Sequence, residues 1–237
     1  MKAMILAAGK STRLRPITDT IPKPMVPVNG KPLMEYLIEL FASHNVQEIY
    51  VNLHHCPQVI SNYFGDGKRW GVSINYSYEP EILGTAGAVK KLESHFDKTF
   101  IVVYGDNLTD CNITELIKFH RSTNGIGTIA IYRRDDPTSS GIVELDENHR
   151  ILRFLEKPKA NQVFSNLISA GIFILEPEIL KYIPDNQFYD FGRDLFPRLL
   201  KEGERLYGYI MSEDLFWIDT PGDYQRVQTL FSKGEKL

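Results

Sequence analysis

Residues 3–16 read AMILAAGKSTRLRP, and the change of texture halfway along them decides the fold. An apolar run over 3–6 passes directly into a turn built from the small residues Ala7, Ala8, Gly9 and Ser11, which carries Lys10, Arg13 and Arg15. Open α/β sheets deliver their ligand-binding groups in this way, because ligands sit outside the carboxyl ends of the strands. The texture recurs. Residues 48–53 and 99–104 are short apolar runs, while 33–43 and 113–123 carry apolar residues at helical spacing. That alternation predicts a mixed, mainly parallel sheet covered by helices on both faces.

After about residue 125 the texture changes. Residues 127–133, 141–145, 151–156 and 168–175 read as strands joined by loops, followed by short helices and a long helix over 221–233. No linker, internal repeat or low-complexity segment interrupts the chain, so one domain over 1–237 is expected, with the second half an elaboration on the same sheet.

Composition narrows the function classes. The chain has 237 residues, 43% hydrophobic and 24% charged, with a formal net charge of -3, which gives no bulk electrostatic reason to bind nucleic acid. Any bound anion must be held by a local site. Cys56 and Cys111 stand far apart and outside any C-x-x-C spacing, which argues against a disulfide framework or a zinc site and for a reducing, cytoplasmic compartment. The apolar run over 3–8 is too short for a signal core or a membrane span, so no targeting segment and no membrane partner are expected.

Two strand-end loops carry chemistry. In the first, Gly9 and its small neighbours let backbone N–H groups approach an anion, and Arg13 presents a fork to phosphate oxygens. Lys23, bracketed by Pro22 and Pro24, is a point charge on a stiffened backbone. The functional reading is a triphosphate cradle; a solvated basic turn is about as common for such a stretch. The P-loop pattern G-x-x-x-x-G-K-[ST] and the dinucleotide pattern G-x-G-x-x-G are both absent.

In the second, IVVYGDNLTD (101–110), Asp106 follows an apolar strand and suits a hard cation such as Mg²⁺, although a lone strand-end Asp is more often a cap or turn residue. Asp219, in DLFWIDTPGDY (214–224), reads either as a second carboxylate or as a helix N-cap, a role open to Thr220. In FLEKPK (154–159), Glu156 and Lys157 would alternate across a strand end, the acid toward sugar hydroxyls and the base toward a phosphate. His54-His55 lacks partners at metal-ligand spacing, and no G-x-S-x-G elbow is present.

Taken in order, LAAGKSTRLRPIT, PKPMVPV, EILGTAGAV, YGDNLTD, EKP, SAGIF and FWIDTP resemble the sugar-1-phosphate nucleotidyltransferases over nearly the whole chain. The resemblance implies a Rossmann-like nucleotidyltransferase fold and a reaction in which an NTP and a sugar 1-phosphate give an NDP-sugar and pyrophosphate. It also implies a nucleotide-binding half over about 1–125 and a sugar-phosphate-binding half over about 126–237.

Carried over motif by motif, Leu6, Ala8, Gly9, Ser11 and Thr12 would hold the triphosphate. Arg13 and Lys23 would be catalytic, Gly84 and Thr85 would lie by the base, and Asp106 and Asp219 would hold Mg²⁺. Gly141, Glu156, Lys157 and Gly171 would hold the sugar phosphate. The likeness is greatest to mannose-1-phosphate guanylyltransferases, which implies GTP and a hexose 1-phosphate as partners. Heptose-1-phosphate guanylyltransferases and glucose-1-phosphate thymidylyl- or uridylyltransferases are close alternatives, and a non-catalytic nucleotide-sugar-binding subunit is the rival of another class.

Ser11 stands where most relatives have Gly, and FWIDTPGDY is two residues shorter than the usual W-x-D-x-G-T-P. A C-terminal β-helix is not expected, and a homo-oligomer is left open.

Overall fold

A computed structural model of the chain describes residues 1–232. Its strands are β1 (Lys2–Leu6), β2 (Pro27–Val28), β3 (Lys31–Pro32), β4 (Glu48–Leu53), β5 (Ser73–Tyr78), β6 (Phe100–Tyr104) and β7 (Leu108–Thr109). They continue with β8 (Gly127–Arg133), β9 (Gly141–Leu145), β10 (Ile151–Glu156), β11 (Leu167–Leu175), β12 (Leu206–Ile210) and β13 (Leu215–Phe216). The α-helices are α1 (Leu33–Ser43), α2 (Pro57–Phe64), α3 (Gly84–Lys90), α4 (Ile113–Ser122), α5 (Phe196–Lys201) and α6 (Pro221–Ser232). The architecture is mixed α/β, with a mostly parallel central sheet flanked by helices, as the alternation predicts. Lys233, the last residue of the expected long helix, lies outside the described residues.

The chain forms two compact units. One comprises Met1–Ile82, Val103–Cys111 and Glu213–Leu237; the other comprises Leu83–Val102 and Asn112–Ser212.

In the first unit β1, β4 and β5 run parallel, with Ala3 opposite Ile49 and Ile49 opposite Ile74. Ala3, Met4 and Ile5 are all fully buried, which is why β1 reads as an unbroken apolar run rather than an alternating one. Helix α1 buries Leu33, Leu37, Ile38 and Phe41, positions at the spacing of one helix face. Strand β5, SINYSY, carries no clear strand signal in the sequence, because it buries only Ile74 and Ser77, three residues apart and therefore on opposite faces.

The short antiparallel pair of β7 and β13 sets Leu215 opposite Thr109 and Phe216 opposite Leu108. It brings the late segment of the chain alongside the loop that follows β6. Leu14, Val26, Val28, Leu33, Leu108, Ile218, Val227 and Phe231 pack into one apolar cluster.

In the second unit β9 and β10 form an antiparallel pair in which Gly141 stands opposite Glu156. Strand β11 pairs antiparallel with β8, and β12 runs parallel to β8. The β11 register slips between Ser169 and Phe173, and Gly171 occupies that irregularity with φ +70°, a conformation that favours glycine. Phe154, Phe173, Phe191 and Phe196 pack edge-on or tilted, with centroids 5.1–5.5 Å apart.

Candidate active site

The apolar cluster of the first unit explains how four remote segments meet. Leu14 neighbours Arg13, Val26 closes the turn begun at Lys23, Leu108 follows the Asp106 loop, and Ile218 precedes Asp219. Burying these four hydrophobic side chains together turns their charged neighbours toward one spot. There the Lys23 ammonium lies 2.5 Å from Asp106 Oδ2 and 2.8 Å from Asp219 Oδ1, and Arg13 Nη2 lies 3.1 Å from the same Asp219 oxygen.

Lys23 is buried while Arg13 is exposed. Burial pulls the Lys23 ammonium's pKa down, but the charges and hydrogen bonds of Asp106 and Asp219 together hold it above its ordinary value. Lys23 begins a single 3-10 turn, in which the Met25 N–H donates to Pro22 O at 2.8 Å and the Val26 N–H to Lys23 O at 3.0 Å. With Pro on both sides, that turn fixes the base of the side chain.

Asp219 is spared for this role by its neighbours. Thr220 Oγ1 accepts the Asp223 N–H at 3.2 Å, and the Asp223 carboxylate accepts the Asp219 and Thr220 N–H groups at 3.2 and 2.9 Å. This reciprocal capping box opens α6, so Thr220 is the cap and the shortened motif still sends Asp219 toward Lys23.

The loop after β1 is held from below. The Ala7 N–H donates to Asn52 Oδ1 at 2.7 Å, and Asn52 Nδ2 donates to the fully buried Glu79 at 2.8 Å. Thr18 Oγ1 donates to Ser11 O at 2.7 Å, and His55 Nε2 lies 3.3 Å from Thr18 O. Of these supports the sequence points only to His55, as half of a strand-end polar pair; Asn52 at the end of an apolar strand is a further visible signal, because a buried amide demands partners. Ser11 adopts φ +49°, a left-handed conformation that favours glycine. A Cβ on Gly9 would meet only Ser11 Oγ, at 3.9 Å, so nothing in the chain itself requires the missing side chain there.

Leu6 and Gly105 touch through the Gly105 N–H to Leu6 O bond at 2.9 Å, which sets the two loaded loops side by side. Ala8 is buried, and Thr12 starts the short turn Thr12–Leu14.

The remaining expected site residues belong to the second unit. The Glu156 carboxylate is mostly buried, and burial raises its pKa; Lys157 and Arg193 oppose that rise while Asp190 adds to it. Lys157 Nζ lies 3.9 Å from it. The expected strand alternation does not set the direction of Lys157: β10 ends at Glu156, and Lys157 turns off with φ +48°, its N–H donating to Ser140 O at 3.1 Å.

Gly84 and Thr85 have roles within the chain. A Cβ on Gly84 would stand 2.5 Å from Tyr189 O, and Thr85 Oγ1 donates to Asp190 Oδ2 at 2.8 Å while accepting the Phe191 N–H at 2.9 Å. Gly171 lies on β11, which pairs antiparallel with β9 through Ile168 opposite Ile142, so it sits on the strand next to the Gly141–Glu156 pair.

Asp106 and Asp219 suit a hard divalent cation, since both are carboxylates and both already converge on one positive group. Among the described residues no cluster of three or more His, Cys, Asp or Glu side chains forms a fuller metal cage. Among them, too, no helix is long and apolar enough to cross a membrane.

The chain belongs to the nucleotidyl transferase family, which it matches over residues 2–231. It is 44% identical to a UTP–glucose-1-phosphate uridylyltransferase of Synechocystis over 98% of its own length and 64% of the relative's. It is 34% identical to a mannose-1-phosphate guanylyltransferase of Mycobacterium tuberculosis over 94% of its length and 62% of the relative's. The chain thus spans just under two thirds of the curated relatives it matches. Among solved structures it is similar to HddC from Yersinia pseudotuberculosis complexed with GMP-PN, with TM-score 0.81, 26% identity and coverage of 97% and 99% of the two chains.

Proposed function

We propose that the chain is a sugar-1-phosphate nucleotidyltransferase that joins an NTP and a sugar 1-phosphate into an NDP-sugar and releases pyrophosphate. The observation that carries the reading is Lys23, whose buried ammonium is held between Asp106 and Asp219 with Arg13 alongside. A buried cation shared by two carboxylates at the ends of remote segments is a costly arrangement for stability alone, and it is suited to polyanionic substrates.

In this reading a phosphate oxygen of the sugar phosphate attacks the α-phosphorus of the NTP in line, and the bond to pyrophosphate breaks. The nucleophile is already anionic, so no general base is required and positioning and charge compensation dominate. The bare backbone at Gly9, with Leu6, Ala8, Ser11 and Thr12, admits the triphosphate closely. Arg13 and Lys23 offset charge on the departing pyrophosphate. Two unit charges about 4 Å apart interact by roughly 4 kcal/mol at an effective dielectric of 20, so each cation is worth orders of magnitude in rate.

Asp106 and Asp219 would hold Mg²⁺, which commonly takes one or two carboxylates and completes its shell with phosphate oxygens and water. When bound, the metal neutralises and orients phosphate oxygens. In the second unit Gly141, Glu156, Lys157 and Gly171 would receive the sugar phosphate, and Gly84 and Thr85 would back the base through the α3 turn. The two free thiols, Cys56 and Cys111, suit a reducing cytoplasmic compartment.

Identity of 44% against 34% moves the substrate reading toward UTP and glucose 1-phosphate. GTP and mannose 1-phosphate, the pair that the sequence motifs favour, is the second reading, supported by the guanylyltransferase relatives and by the GMP-PN complex of a structural neighbour. Incubation with each NTP against glucose, mannose and heptose 1-phosphates, followed by pyrophosphate release, tests both. Turnover highest with UTP and glucose 1-phosphate supports the first, and binding of nucleotide without turnover of any pair would favour a non-catalytic subunit.

A further inference from the structure

The Glu156 side chain has an unusual setting. It is 19% exposed, yet among the described residues its carboxylate accepts no hydrogen bond from the chain; its nearest cation, Lys157 Nζ, is 3.9 Å away. A mostly buried carboxylate without donors is normally unfavourable, and it normally drifts to where donors are.

Two bare backbone walls keep it in place. A Cβ on Gly141 would lie 2.7 Å from Glu156 Oε2 and collide with the Phe154 ring, and a Cβ on Gly192 would overlap the same oxygen and stand 2.9 Å from Glu156 Cδ. The Gly141 wall is secured by the β9–β10 ladder, where the two residues face one another.

The Gly192 wall has a different support. Residues Phe191–Leu195 form one π-helical turn ahead of α5, a geometry frequent at functional sites. Its first N–H groups hang on Asp190, whose Oδ1 accepts from Gly192 N at 3.0 Å and Arg193 N at 3.1 Å. Asp190 Oδ2 accepts the Thr85 hydroxyl at 2.8 Å, and the Asp190 N–H donates to Asp194 Oδ2 at 2.8 Å. Asp190 thus ties the start of α3 to the turn that confines Glu156.

We propose that Asp190 is a positioning residue for sugar recognition, which holds Gly192 against Glu156 and thereby fixes the direction in which that carboxylate meets sugar hydroxyls. The inference rests on the reading of Glu156 as a sugar contact. With its position set by walls rather than by donors, the carboxylate keeps its acceptor capacity for hydroxyls, and a small loosening of the Gly192 wall changes which hydroxyl geometry it fits.

The test uses the whole chain and two independent lesions, Asp190→Ala and Gly192→Ala, with Asp190→Asn as the conservative variant. Glucose 1-phosphate and mannose 1-phosphate binding are measured by calorimetry, and KM for each substrate by steady-state kinetics. Displacing a positioned group by about 1 Å is worth up to about 100-fold, so both alanine variants are expected to weaken sugar-phosphate binding by about 10- to 100-fold. Discrimination between the two epimers should fall as well, with KM for the NTP within about twofold in Gly192→Ala, which leaves the Thr85–Asp190 bond in place. Asp190→Asn retains one oxygen acceptor for the Gly192 and Arg193 N–H groups and should keep most of the binding.

Alanine variants that bind both epimers as the wild type does overturn the inference, as does a parallel loss in both substrates with lowered thermal stability in Gly192→Ala. A wild type that turns over nucleotide and sugar 1-phosphate but tolerates Glu156→Gln refutes the contact on which the inference rests. A wild type that binds no sugar 1-phosphate refutes the proposed function itself and the inference with it.

Discussion

Lys23 Nζ lies 2.8 Å from Asp219 Oδ1, across 196 residues of chain. Under the proposed function a divalent cation would occupy the same two carboxylates, in competition with the ammonium. Lys23→Met, which keeps the length of the stem, should abolish most turnover and lower stability by about 1–3 kcal/mol. That is less than for a fully buried pair because Asp106 and Asp219 keep some solvent. Added Mg²⁺ should raise the melting temperature of the variant more than that of the wild type, through binding to the released carboxylates. Equal metal shifts in the two proteins would contradict the shared site.

Asp219 and Thr220 are adjacent but separable. Thr220→Ala removes the cap of α6 and should cost about 1 kcal/mol of stability with turnover largely kept. Asp219→Asn takes one of two carboxylates from the buried Lys23 ammonium, so it should also cost about 1 kcal/mol or more and, unlike Thr220→Ala, lose turnover by orders of magnitude. Denaturant unfolding and initial rates on the two variants check the division, and the opposite pattern would make Asp219 the cap.

Ser11 is a non-glycine residue at φ +49°. Ser11→Gly relieves a penalty of roughly 1 kcal/mol but adds unfolded-chain entropy, so stability should stay level or rise slightly, with kcat within about twofold. A branched residue there, Ser11→Val, should be clearly destabilising. Chemical denaturation of both variants reads this directly.

Glu156 carries a carboxyl whose pKa is raised, chiefly by burial. A folded-state pKa above the unfolded value means that its contribution to stability is fully present below the unfolded value of 4.5 and is lost as pH rises through the folded one. Glu156→Gln should therefore melt higher than the wild type at neutral pH, with the gain shrinking toward zero below pH 4.5, and should lose sugar-phosphate binding. A variant that melts lower at pH 7 than the wild type would contradict the burial penalty.

Much of the strand and helix pattern was legible, because β1, β4 and β6 are buried runs and α1 and α4 carry one-sided apolar spacing. Strand β5 escaped notice because its alternation is weak and polar. The charged residues were also legible: Arg13, Lys23, Asp106 and Asp219 stand beside Gly, Pro or apolar strand ends, where free-standing charge has few structural uses. What brings them together was not. Leu14, Val26, Leu108 and Ile218 are ordinary hydrophobic residues in the sequence, and only the folded cluster reveals them as the common floor. Thr85 bonds to Asp190 and Phe191, and Gly84 packs against the Tyr189 backbone, about a hundred residues away, a pairing that no local period encodes. Lys157 was misread for a local reason, since a strand's alternation stops where the strand does.

The central claim is tested most directly by pyrophosphate release from the purified chain with Mg²⁺, UTP or GTP, and glucose or mannose 1-phosphate, beside Asp106→Ala. The account predicts stoichiometric NDP-sugar and pyrophosphate from at least one pair, and none from the variant. Absence of product from every pair, or wild-type rates in Asp106→Ala, would contradict it.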